Sequence, residues 1–318
     1  MRHILLVNQL KDLALKKDSS LMMALTLKEL GHETYLLFEE DFHIYNQGPA
    51  RVKVFDFKAS FKKDSFYLDH FLPNNYKNLT LEKGDILHMR IDPPFDKKYL
   101  SYLWMLKFLQ KSGIRVINDP VGIMAHNEKL YSYEHKHSLP SYVGMSGDHL
   151  KDFALNLKKE GYTHFIFKPL ELFQGIGVEK VSLDNPSLKK IFENATEVFK
   201  GPMVAQPFIE DIKNGEIRSI YYKGKELGTI LKTPPEGEFL ANIAQGASYK
   251  EVELTPLQKS ICEEVCSEIG PKGVDFIAFD ILGDYLQEVN ITCPGLLVEV
   301  SEAVGRNLAI DIINKVNS

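Results

Sequence analysis

The stretch FDILGDYLQEVN, residues 279–290, sets Asp280, Glu288 and Asn290 into two short apolar runs joined by a Gly-Asp turn. Side chains alternate faces along a strand, and directly paired residues of an antiparallel hairpin share a face. Register therefore decides what these three oxygen-bearing side chains do. A loop of Gly283 and Asp284 alone pairs Asp280 with Gln287 and Glu288 with Phe279, which mixes charge with apolar groups on both faces. A loop with an odd number of residues pairs Leu282 with Leu286 and sets Asp280 opposite Glu288, with Asn290 beside them. Ile277, Phe279, Ile281, Val289 and Ile291 then gather on the other face. We adopt the second register. Two carboxylates and an amide oxygen on one face repel unless a hard cation neutralises them, and such ligands suit Mg2+ shared with substrate phosphates. The alternative is an exposed hairpin face with ordinary surface acids.

Cations with defined positions complete the chemistry. Lys168 ends the apolar run HFIF before a proline and is followed by LELFQGIGV, whose Gly175 and Gly177 allow the close backbone approach that anion binding needs. A surface lysine at a strand end reads the same way. Lys129 stands in the first turn of a helix capped by Asn127, against the helix dipole, which suggests an anionic ligand or else a solvated first-turn lysine. Arg218 lies on a strand after a turn and Lys232 ends the run GTILK. With the acidic hairpin these are the parts of a phosphoryl-transfer site: lysines for phosphates, acids for the metal and a loop to exclude water.

The elements that must position these residues follow from periodicity and turn signals. HILLVNQL, HETYLLF, DILHMRI and IRVIND read as buried strands, and SSLMMALTLKELG and KKYLSYLWMLKFLQKSG as helices stopped by Gly31 and Gly113. This predicts an open parallel α/β sheet over roughly residues 1–120. Beyond about residue 127, strands THFIFKPL, MVAQPFI, IRSIYY and ELGTILKT and the acidic hairpin predict an α+β region with antiparallel pairing. KTPPEGEFLANIAQGAS is the candidate mobile loop. A chain of 318 residues with 44% hydrophobic content supports two or three structural units, and a net charge of -5 argues against a general nucleic-acid surface. No apolar run reaches membrane-spanning length and no cleavable leader is evident, so a cytoplasmic protein without membrane partners is expected. Cys262, Cys266 and Cys293 are too few for a disulfide framework and are expected reduced.

KKDSS at 16–20, MRIDPPFD at 89–96, NEKL at 127–130, KPL at 168–170, AQPFI at 205–209, IKNGEIR at 212–218, NIAQG at 242–246 and FDILGDYLQEVN together carry a resemblance. In order and spacing the chain resembles the ATP-grasp ligases and, within them, the prokaryotic glutathione synthetase family. The resemblance implies an N-terminal α/β substrate-side domain, 1–122, followed by a two-lobed ATP-grasp domain, 123–318, with a central lobe of about 123–204 and a C-terminal lobe of about 205–318. It implies ATP with Mg2+, or Mn2+, and small-molecule substrates, γ-glutamylcysteine and glycine, joined through an acyl phosphate. Lys129 and Lys168, with the loop at Gly175, would hold the phosphates, and Gln206, Phe208 and Ile209 would line the adenine pocket. Asp280, Glu288 and Asn290 would bind the metal. Arg218 and Lys232, with Asn242 nearby, would stabilise the transferring phosphoryl group. Asp18, Ser19, Ser20, Arg90 and Asp92 become candidates for the peptide-substrate side, although Asp18 is also an ordinary helix cap. A homo-oligomer is implied as well.

Departures from the family pattern bear on the substrate. The phosphate loop reads ELFQGIG where the family has small residues, Leu240 and Ala241 stand where it commonly has an arginine-glycine pair, and Lys232 replaces an arginine. Near Val298 the family has a further arginine, whereas NITCPGLLVEV is closer to the Asn-x-x-Pro-Gly ending of protein-glutamate and D-alanine ligases. Two rivals therefore stand beside glutathione synthesis: an ATP-grasp ligase with another acid or amine, and a degenerate ATP-binding module.

Overall fold

The computed structural model describes residues 2–317. The first sheet comprises β1 (Arg2–Val7), β2 (Glu33–Phe38), β3 (Arg51–Phe61), β4 (Leu68–Thr80), β5 (Ile86–Arg90) and β6 (Arg115–Ile117) in the order β4-β3-β2-β1-β5-β6. The expected parallel core is present in β2-β1-β5-β6. An antiparallel ribbon, β3-β4, extends it at one edge. That ribbon has no counterpart in the sequence reading, although RVKVFDF alternates as an edge strand should.

Helix α1 (Ser19–Glu29) begins where Asp18 accepts hydrogen bonds from the backbone N–H of Ser20 and Leu21 at 2.8 and 2.9 Å. It is buried nearly all round because the sheet lies on one side and the C-terminal helices on the other. Helices α2 (Lys97–Gln110), α3 (Pro120–Ala125) and α4 (Glu128–Glu134) follow, the last capped by Asn127 as its sequence predicts.

The second sheet, β7 (Tyr142–Gly144), β8 (His164–Pro169), β9 (Glu179–Ser182) and β10 (Met203–Pro207), has the antiparallel order β7-β10-β8-β9. Helices α5 (Gly147–Lys159) and α6 (Leu188–Val198) cover one face through Leu150, Leu157 and Phe192 against Phe165, Phe167 and Met203. The third sheet has β11 (Glu216–Tyr222), β12 (Lys225–Thr233), β13 (Ser248–Glu251), β14 (Phe276–Leu282) and β15 (Tyr285–Asn290) in the antiparallel order β13-β12-β11-β14-β15. Helix α7 (Pro256–Ile269) covers one face, burying Cys262 and Cys266. Helices α8 (Leu297–Val304) and α9 (Leu308–Val316) cover the other and share a core with α1.

The hairpin that opened the sequence reading needs a correction. Its turn is the two-residue Gly283-Asp284, and Leu282 pairs with Tyr285, not with Leu286. A bulge between Asp280 and Ile281 in the ladder then restores parity, so that Asp280 pairs with Glu288 after all. The expected apolar face is present: Ile277, Phe279, Ile281, Val289 and Ile291 all pack under α7.

Asn118 joins the first sheet to the third. Its Nδ2 donates to the carbonyls of Phe276 and Ile291 at 2.7 and 2.8 Å, and its Oδ1 accepts from the N–H of Asp275 and Phe276. All four of its hydrogen-bonding positions are used, which makes this a rigid junction.

Candidate active site

Where the three sheets meet lies a cavity of about 550 Å3. It is lined by Asp18, Ser19, Ser20, Arg90, Asp92, Lys129, Lys168, Gly175, Gln206, Phe208, Ile209, Arg218, Lys232, Asn242, Asp280, Glu288 and Asn290, all singled out from the sequence, whereas Gly177 is not part of the lining. The surface-acid reading of the hairpin fails, because Asp280 is only 5% exposed. The solvated reading of Lys129 fails as well, at 6%.

At its centre is a row of paired charges running across neighbouring strands. Arg218 pairs with Asp280, which pairs with Glu288, and Glu216 pairs with Lys232. The Arg218 guanidinium grips Asp280 in a bidentate fork at 3.0 and 2.8 Å. Lys232 Nζ donates to Asp280 at 3.0 Å and to Glu216 at 2.8 Å, and Asn290 Nδ2 donates to Asp280 at 3.0 Å. Burial pushes the Asp280 carboxyl up, but Arg218, Lys232 and Asn290 outweigh it and hold the group below the usual carboxylate range. Burial likewise disfavours the Lys232 ammonium, yet Asp280 and Glu216 keep it above its ordinary value.

On the facing wall, Lys129 Nζ donates to Glu288 at 2.9 Å and to the Leu172 carbonyl at 2.7 Å. Lys168, on β8, has neither a hydrogen bond nor an ion pair among the described residues, and its ammonium lies 5.6 Å from the centre of the Tyr133 ring. Burial lowers it to about 8, beyond what the nearby Glu288 restores. Such a lysine is available to an incoming anion.

Two loops close the top. Gln174 is held at φ 55° and Gly175 at φ 75°, in the left-handed region, and a Cβ on Gly175 would meet Leu240 at 3.5 Å. Asn242 Nδ2 donates to the Gln174 carbonyl at 2.8 Å, so the candidate phosphate loop and the candidate mobile loop touch directly. Leu240, which departs from the family pattern, thus supplies an apolar contact between them. Gln206 Nε2 donates to Ser141, and Phe208 meets Phe239 edge to face.

On the N-terminal side, Arg90 Nε donates to Ser20 at 3.0 Å and its Nη2 to the Pro294 carbonyl at 2.9 Å. Ser19 Oγ accepts from the Leu297 N–H, and the Asp92 N–H donates to Asn8. Burial and the charge of Asp92 raise the Asp18 carboxyl to about 6.

Glu216, Glu128, Thr292 and Glu299 are among the cavity residues that escaped the sequence reading. Glu216 shares a face with Arg218 two residues on, a signal that strand alternation offered. Glu128 adjoins Lys129, and its Oε1 accepts from the N–H of Ile291 and Thr292 and from the Thr292 hydroxyl at 2.6–2.8 Å, anchoring the end of β15. Thr292 and Glu299 gave no local signal. Val298 is fully buried in the core, so it is its neighbour that reaches the cavity.

A hard cation suits the donor set. Asp280, Glu288 and Asn290 offer oxygen ligands, but no group of three or more His, Cys, Asp or Glu able to hold a metal occurs among the described residues. A metal held here would need further oxygen ligands, such as those of a substrate phosphate.

Two family models match the chain, "Prokaryotic glutathione synthetase, N-terminal domain" over residues 1–123 and "Prokaryotic glutathione synthetase, ATP-grasp domain" over residues 128–305. The glutathione synthetase of Coxiella burnetii is 30% identical over 300 residues, which span 91% of this chain and 88% of that one. That of Prochlorococcus marinus subsp. pastoris is 28% identical, spanning 99% and 98%. Among solved structures, D-cycloserine synthetase DcsG aligns with a TM-score of 0.67 at 12% identity, covering 98% of this chain and 99% of that one. Macrocyclase MdnC of Microcystis aeruginosa, bound with precursor peptide MdnA, aligns at 0.63 and 13%, with the same coverage. At such identities the structural likeness speaks for the fold alone.

Proposed function

The chain belongs to the prokaryotic glutathione synthetase family and is an ATP-dependent ligase that forms a C–N bond, and we propose that it joins γ-glutamylcysteine to glycine. A carboxylate oxygen of the donor attacks the γ-phosphorus of ATP, the bond to ADP breaks, and an acyl phosphate forms. The glycine nitrogen then attacks the acyl carbon, phosphate leaves and the amine gives up its proton.

The observation that carries this reading is the cross-strand row Arg218-Asp280-Glu288, centred on the buried Asp280 and flanked by Lys129, Lys168 and Lys232 in one cavity. Such an array stabilises charge moving between phosphate oxygens without reorganising. On this reading Lys129, Lys168 and the Gly175 loop hold the phosphates, while Gln206, Phe208 and Ile209 line the adenine pocket. Asp280, Glu288 and Asn290 hold Mg2+, with Mn2+ as a substitute, and the bound metal supplies charge neutralisation at the phosphates. Arg218 and Lys232 stabilise the transferring phosphoryl group, and Asn242 fastens the covering loops. Asp18, Ser19, Ser20, Arg90 and Asp92 form the donor side.

We further assign residues 1–122 to a substrate-side domain and 123–318 to a two-lobed ATP-grasp domain, divided near 204, in a cytoplasmic homo-oligomer. No helix among the described residues is long and apolar enough to cross a membrane.

Phosphate release with ATP and Mg2+, measured with γ-glutamylcysteine and glycine separately and together and with the product's mass determined, tests the reading. Release that requires both, with glutathione formed, supports it. Turnover only with another acid and amine would move the substrate and keep the chemistry.

A further inference from the structure

Two charged side chains that line the cavity each keep a buried polar atom without a hydrogen-bond partner among the described residues. Glu299, in the first turn of α8, is 1% exposed, and its Oε2 has no hydrogen-bond partner among the described residues. Arg90 is 3% exposed, and its Nη1 is likewise unpartnered while its other nitrogens bond Ser20 and Pro294. Both residues line the cavity. They flank one junction: Arg90 holds Ser20, and the neighbouring Ser19 holds the N–H of Leu297, two residues before Glu299. A buried carboxylate oxygen and a buried guanidinium nitrogen without partners are costly unless a ligand completes them.

We propose that Glu299 binds the α-ammonium of the donor's glutamyl group while Arg90 takes the carboxylate on the same carbon, making Glu299 a specificity residue for an amino-acid head group. The inference rests on the donor assignment given above. It concerns the donor, not glycine, for a chemical reason. A fixed carboxylate stabilises the ammonium form, and the attacking amine must lose that proton to become a nucleophile. The donor's ammonium takes no part in the reaction and can stay charged. Burial raises the Glu299 carboxyl, opposed by Lys17 and Arg218, and an arriving ammonium would add to that opposition.

The test compares γ-glutamylcysteine with its analogue bearing hydrogen in place of the α-ammonium, in the wild type and in Glu299→Gln. The wild type should use the analogue with kcat/KM lower by about 10- to 100-fold, the value of one buried charge-assisted hydrogen bond. Glu299→Gln should raise KM for γ-glutamylcysteine by a similar factor, leave KM for glycine unchanged and no longer discriminate between the two donors. Discrimination retained in the variant, or a rise in KM for glycine instead, would overturn the proposal. If the variant does not fold, the wild type still decides, because equal use of both donors refutes the assignment. A wild type inactive with γ-glutamylcysteine and glycine would end the donor assignment and this inference together, whereas activity without discrimination ends only the inference.

Discussion

The two ends of the cavity treat charge in opposite ways. At the phosphoryl end Asp280 is held by Arg218, Lys232 and Asn290, and Glu288 by Lys129. At the end proposed for the donor, Arg90 and Glu299 each keep a buried polar atom unpartnered among the described residues, and burial with the charge of Asp92 raises the Asp18 carboxyl to about 6. The phosphoryl end is organised before anything binds, as electrostatic stabilisation of a transition state requires. On the proposed assignment the donor end is left incomplete, which would make its stability and its selectivity depend on the substrate.

The largest test of this contrast is Asp280→Asn. It leaves the part-buried Arg218 without its counter-charge and the buried Lys232 with Glu216 alone, so thermal or denaturant unfolding should register a loss of about 3 kcal/mol. Phosphate release should fall by about 100- to 1000-fold. A variant with wild-type stability would mean that the row is not an interdependent unit. Next in size is Lys168→Met, at a cation whose side chain makes neither a hydrogen bond nor an ion pair among the described residues. Calorimetry should find ATP binding weaker by about 10- to 100-fold. Because ATP favours the charged ammonium, wild-type affinity should decline as pH rises through about 8, and that decline should vanish in the variant. Persistence of the same pH dependence would assign it to another group.

Asn242→Ala removes the hydrogen bond to the Gln174 carbonyl and should cost about 1 kcal/mol of loop closure, a several-fold drop in kcat/KM for ATP with little change in melting temperature. Unchanged kinetics would show that the loops close without this contact. The smallest effect concerns pH. Asp18 has a folded-state carboxyl raised to about 6 from 3.8, so the folded protein binds the extra proton and loses stability as pH rises across that window. Asp280, held low, acts in the opposite sense: its contribution is present above 3.8 and is lost as pH falls below it. Asp18→Asn keeps a capping oxygen, and its melting temperature should fall less than that of the wild type between pH 4 and pH 6.5. Parallel melting curves would place the titrating group elsewhere.

Much of this site was legible before folding. Alternation placed Asp280, Glu288 and Asn290 on one face, and strand ends and caps located Lys168 and Lys129, because these are properties of a few consecutive residues. The turn was misjudged because an odd loop and a two-residue loop with a bulge restore the same parity, and nothing in the sequence of FDILGDYLQEVN separates them. The β3-β4 ribbon was not assigned because only RVKVFDF in β3 alternates, while its partner LDHFLPNNYKNLT is mostly polar and exposed. Glu128 was missed because its partners, Ile291 and Thr292, lie more than 160 residues away along the chain.

The sequence by itself determined the chemical inventory: carboxylate and amide oxygens, cations at strand and helix ends and a Pro/Gly-rich loop, each on a segment whose period and stop signals are local. Only the tertiary structure decided which charges neutralise one another and which stay open. Arg218 meets Asp280 because two antiparallel strands align them, while Glu299 lies buried in the cavity wall because α8 packs against α1. The strengths of ion pairs and the cost of an unpaired polar atom depend on separation in space and on exclusion of water. Both are set by packing between distant segments.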